Sequence, residues 1–99
     1  MAVLCGGATP MKEATEEVQE ICNKIRAELE EKVGKTFSDF KATHFSSQVV
    51  AGINYFVKVS IGDAKYLHVK IYKPLPRQGE ASVTDYQLDK TADEPIGYF

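Results

Sequence analysis

Cysteine is scarce here: the chain of 99 residues holds Cys5 and Cys22 and no others. Two thiols exclude the disulfide framework that staples many small secreted domains. An excess of positive charge is missing as well. The net charge is −2, so no basic field exists to release phosphate counterions, and nucleic-acid partners are excluded. The same balance offers no attraction to an anionic membrane surface. No apolar run approaches the ~20 residues of a membrane span. The opening Met1-Ala2-Val3-Leu4-Cys5-Gly6-Gly7 has no cationic region and too short an apolar run for a secretory signal. Internal repeats and low-complexity segments are absent too. The expectation is a cytoplasmic protein, with the nucleus as a second compartment, that keeps its thiols reduced and needs no cofactor.

What is present reads as one domain, residues 1–99, able to bury roughly two-thirds of its unfolded surface. Residues 1–12 contain Gly6, Gly7 and Pro10 without periodicity and are expected to be a flexible trunk. Val18, Ile21, Cys22, Ile25, Leu29 and Val33 then recur at three- and four-residue steps, the apolar stripe of a helix. Thr15 is the expected N-cap, Glu16 and Glu17 suit the positive end of the helix dipole, and Gly34 is a natural stop.

Beyond Gly34 the period changes to two. Strands are expected at residues 40–47 and 53–61. Ile53, Tyr55, Val57, Val59 and Ile61 share one face, and Asn54, Lys58 and Ser60 the other. Phe40 and Ala42 share a parity that Phe45 breaks, which predicts a bulge near Thr43–His44. After a turn at Gly62-Asp63-Ala64, Leu67, Val69 and Ile71 alternate with Tyr66, His68, Lys70 and Tyr72. On this pattern His68 faces the polar side as a solvated side chain. A loop over residues 73–80, a strand over 83–88 and a short terminal strand over 95–99 complete the chain. The fold class is α+β, one long helix packed across a four- to five-stranded antiparallel sheet.

The segment Gln48-Val49-Val50-Ala51-Gly52 falls at a hairpin tip. Tips ordinarily carry Asn, Asp, Gly or Ser; apolar groups there point to insertion into a partner. This segment resembles the Gln-x-Val-x-Gly motif of the cystatins, reversible inhibitors of papain-like cysteine proteases. Gly6 matches the glycine of their N-terminal trunk, with Val3, Leu4 and Cys5 ahead of it, and Leu75-Pro76 matches the dipeptide of a later hairpin loop. Asn54-Tyr55, Lys58-Val59, Gly62-Asp63 and Tyr98-Phe99 extend the likeness over the whole chain. It is to the disulfide-free stefin branch (type 1 cystatins), and Cys5 with the Tyr98-Phe99 end leans towards the B type within it.

The resemblance implies a wedge of three pieces: Val3, Leu4, Cys5 and Gly6; Gln48, Val49, Val50, Ala51 and Gly52; and Leu75 with Pro76. Its implied partners are papain-like proteases such as cathepsins L, S, H and B, and the protein itself is not an enzyme. A rival thiol enzyme would need Cys5 or Cys22 held rigidly beside His44 or His68. Neither fits, with Cys5 on a trunk and Cys22 on the helix stripe. The two histidines lack companions at ligand spacing, so no metal site is expected. The alternative is a cystatin-fold binding module that self-assembles: the protein is expected mostly as a monomer, with Val49 and Val50 as the hinge of a domain-swapped dimer.

Overall fold

The computed structural model describes residues 11–75, 78–97 and 99. Its elements run β1 (Lys12–Glu13), α1 (Glu16–Val33), β2 (Lys41–Val50), β3 (Gly52–Ser60), β4 (Tyr66–Lys73) and β5 (Ser82–Lys90). The strands form one five-stranded sheet in the order of the chain. Every neighbouring pair is antiparallel.

The helix begins and ends where its caps dictate. The Thr15 hydroxyl accepts a hydrogen bond from the Val18 amide at 3.2 Å. Gly34 closes the far end with φ of 86°, a left-handed conformation that glycine adopts without a Cβ penalty. Val18, Ile21, Cys22, Ile25 and Leu29 are all buried. They pack on the inner face of the sheet against Ala42, Tyr55, Val57, Val59, Leu67, Val69, Ile71 and Val83.

The expected bulge is present. Ala42 pairs with Val59 and His44 with Lys58, which leaves Thr43 as the extra residue. The Thr43 carbonyl accepts from the Ala14 amide at 2.9 Å, and its hydroxyl donates to the Lys58 carbonyl at 3.2 Å. Gln19 of α1 fastens the helix to the same region, accepting from the Ala42 amide at 2.8 Å and donating to the Phe40 carbonyl at 3.2 Å.

Some features depart from the sequence reading. Lys12 belongs to a short strand, pairing with Phe45 while Glu13 pairs with His44. Phe37, in the connection after the helix, is buried and stacks on Phe40 at 5.7 Å between ring centroids. The Glu30 carboxylate accepts from the Phe37 amide at 3.0 Å. That amide first, and then Arg26, hold this carboxyl below its ordinary pKa.

The largest departure is on the outer face of the sheet. Among the described residues no strand forms over 95–99. Just before that span, the carbonyls of Ala92 and Glu94 accept from the Lys58 ammonium at 2.6 Å each. Ile96 is buried, and the Phe99 ring meets Phe56 edge-on at 5.6 Å. Lys58 and His68 therefore lie on the face their parity assigns, yet they are only 1% and 0% exposed. The expected solvated His68 is corrected to a fully buried side chain.

Candidate functional site

Alternation carries β2 and β3 to within one residue of each other. Val49 pairs with Ile53 and Val50 with Gly52, so Ala51 alone separates the paired positions. The strands run further into the tip than sequence reading placed them. Val49 is 66% exposed and Val50 42% exposed. No solvation argument favours two branched aliphatic side chains there.

Gly52 has a specific requirement behind it. Its φ is 118°, and a Cβ built on it would lie 2.6 Å from the Lys73 carbonyl oxygen and 3.0 Å from the Tyr72 ring. Backbone thus approaches backbone where no other residue fits. The Tyr72 hydroxyl donates to the Ala51 carbonyl at the tip. Within the hairpin, the Asn54 amide group donates to the Gln48 side-chain oxygen at 3.3 Å.

The loop between β4 and β5 turns at the same end of the sheet. Ile53, beside the first tip, pairs with Lys73 at the end of β4, and Leu75 follows with 46% exposure. Together Val49, Val50, Gly52, Ile53, Lys73, Pro74 and Leu75 line an open apolar cavity of about 350 Å³. Residues 26 or so apart in sequence are joined there by strand register alone. β1 enters the sheet from this end too, since its antiparallel register with β2 places Lys12 opposite Phe45, nearer the tip than the pair of Glu13 and His44. Of the other expected site residues, Val3, Leu4, Cys5, Gly6 and Pro76 lie outside the described residues.

A larger cavity of about 540 Å³ adjoins Leu75 and Pro74, bounded by Glu17, Glu20, Ile21 and Lys24 of the helix and by Gly79, Glu80 and Ala81 of the loop. Lys73 and Glu17 face each other across its rim at 3.4 Å, both exposed, so the pair is screened and contributes little.

The Cys22 thiol is buried in the core, and burial pushes its pKa up to about 12. It holds essentially no thiolate near neutrality. Among the described residues, no group of three His, Cys, Asp or Glu is placed to hold a metal ion. No described helix is long and apolar enough to cross a membrane.

The fold and this site define a small α+β domain that presents exposed apolar groups, Val49, Val50 and Leu75, on two hairpin loops at one end of a sheet wrapped on a helix. A sequence model described as the cystatin domain matches residues 6–93. Cystatin-A of Bos taurus is 47% identical over 95 residues, covering 95% of this chain and 97% of the relative. Cystatin-B of Macaca fuscata fuscata is 42% identical over 98 residues, covering 98% and 100%. Leukocyte cysteine proteinase inhibitor 1 of Sus scrofa is 44% identical over 98 residues, covering 98% and 95%. The chain belongs to the cystatin family. Relatives named for the A and B types match at similar identity, which places it among the stefins as a group.

Proposed function

We propose that this protein is a reversible, tight-binding inhibitor of papain-like cysteine proteases, cathepsins among them, that occludes the active-site cleft. The trunk residues Val3, Leu4, Cys5 and Gly6 would lie on one side of the cleft. The tip Gln48, Val49, Val50, Ala51 and Gly52, with Leu75 and Pro76, would fill the other. The observation that carries this reading is the convergence of Val49, Val50 and Leu75 on one exposed apolar surface. A name among its relatives points the same way, since the pig protein is called a cysteine proteinase inhibitor.

The geometry supports occlusion without cleavage. Val49 and Val50 are β-branched and lose little rotamer entropy on burial. A closed hairpin tip does not offer an extended peptide carbonyl in line with an attacking thiolate, so the near-attack arrangement that chemistry requires is missing. Strand pairing up to Val50 and Gly52 pre-organises the tip, which limits the entropy lost on binding.

Titration of papain, and then of a cathepsin L-type enzyme, tests the proposal. A stoichiometric loss of activity with the inhibitor recovered uncut is the expected result. Full protease activity at micromolar protein would refute it. Removal of residues 1–6 is expected to weaken inhibition at least tenfold, about 1.4 kcal/mol, chiefly by faster dissociation of the complex.

A further inference from the structure

Tyr72 lies one residue before the end of β4, in register with Asn54 of β3 and Ser82 of β5. Its own strand leads directly into the loop that carries Leu75. The side chain, however, reaches towards the other hairpin. Its hydroxyl donates to the carbonyl of Ala51, the one residue between the paired positions Val50 and Gly52. Its ring edge lies 3.0 Å from the place a Gly52 side chain would occupy. A hydroxyl on β4 therefore ties down the tip of the β2–β3 hairpin.

The tip needs such a tie. Val49, Val50 and Ala51 are exposed, so the core does not hold them, and a hairpin end is where strand pairs fray. The Ala51 carbonyl faces a choice between this phenol and water. We propose that Tyr72 is a positioning residue of the inhibitory surface: its hydroxyl locks the first loop to the strand that bears the second, so that both reach a protease already aligned. The proposal rests on the inhibitor reading above and deepens it. It also explains why glycine alone is admitted at position 52, since any side chain would meet both the Tyr72 ring and the Lys73 carbonyl.

The binding advantage arises because a tip held in its bound shape loses less conformational freedom on association. If the binding-competent shape is only partly populated, affinity falls by that fraction. A single neutral hydrogen bond contributes enough to change affinity roughly fivefold.

The test is Tyr72→Phe, which keeps the ring over Gly52 and deletes the hydroxyl alone. Two quantities are measured beside the wild type: the inhibition constant against papain, and backbone ¹⁵N relaxation of Ala51 and Gly52 in the free protein. The expected result is inhibition weakened roughly fivefold, faster motion at Ala51 and Gly52, and an unchanged thermal midpoint. An unchanged inhibition constant beside an inhibitory wild type overturns the proposal, as does an unchanged tip. So does a loss of affinity accompanied by a lowered midpoint, which would make Tyr72 merely structural. If the wild type fails to inhibit, the inhibitor reading falls, and with it the role assigned to Tyr72; relaxation data would then report on the tie alone.

Discussion

Val49 leaves 66% of its surface in water at the tip of a hairpin. An exposed valine contributes almost nothing to folding, so its replacement separates binding from stability. Val49→Asp is expected to weaken protease inhibition by about a hundredfold, because a desolvated carboxylate without a partner is strongly unfavourable in an apolar contact. The thermal midpoint should stay within a degree or two of wild type. Loss of both together would mean that the tip supports the fold instead.

His68 is the opposite case, a side chain fully buried and uninvolved in the apolar end. Neither of its ring nitrogens finds a hydrogen-bond partner in the structure. Burial first, then the charges of Lys58 and Lys90, lower its pKa from 6.5 to about 4, while Glu94 pulls the other way. The sign of the linkage is definite. Above pH 6.5 the imidazole is neutral in both folded and unfolded chains, and its contribution to stability is complete. As the pH falls from there towards 4, the unfolded chain takes up a proton that the folded chain refuses, and stability is lost. The imidazole resonances of His68 should accordingly still report a neutral ring at pH 5.5 by NMR. A midpoint of titration near 6.5 would show that the ring is open to water.

At the scale of elements, residues 92–97 together with Phe99 act as a cover for the outer face of β3 and β4. Its attachment combines the Lys58 ammonium, bonded to two carbonyls, with the apolar contact of Phe99 on Phe56. Charge-assisted hydrogen bonds of this kind are the stronger class. Lys58→Met preserves the length of the side chain and leaves both carbonyls without their donor. It should destabilise the protein by about 2–4 kcal/mol in urea denaturation, with papain inhibition unchanged at temperatures where the fold persists. A variant of wild-type stability would show that the cover is held by its apolar residues alone.

The whole molecule brings two loops to one end because five strands are laid side by side in chain order. Each hairpin reverses the chain, so alternate connections, β2–β3 and β4–β5, share an end. The same simplicity carries a hazard. The β2–β3 connection is so short that opening it would merge two strands into one long strand, and a second copy could supply the missing partner. A swapped dimer is therefore expected after mild destabilisation, such as brief heating near the thermal midpoint. It should elute as a dimer on gel filtration and should fail to inhibit papain, since the tip no longer exists in it. A dimer with full inhibitory activity would contradict that geometry.

The local patterns in the sequence determined much of this protein. The stripe from Val18 to Leu29, the Thr15 and Gly34 caps, the alternation through Val57 and Val59, and the bulge at Thr43 were all legible, because each is written in residues within a turn or two of one another. The motif at Gln48 to Gly52 was legible by its chemistry, apolar where a tip should be polar. Tertiary structure alone decided what covers each face. Lys58 and His68 obeyed their parity, but both are buried, and the carbonyls that hold Lys58 lie 34 and 36 residues away in a segment that no periodicity announces. Phe37 joined the core through a connection without regular structure, and Tyr72 reached Ala51 across 21 residues. Periodicity reports which way a side chain points; what lies in that direction depends on distant chain, and only the packed fold supplies it.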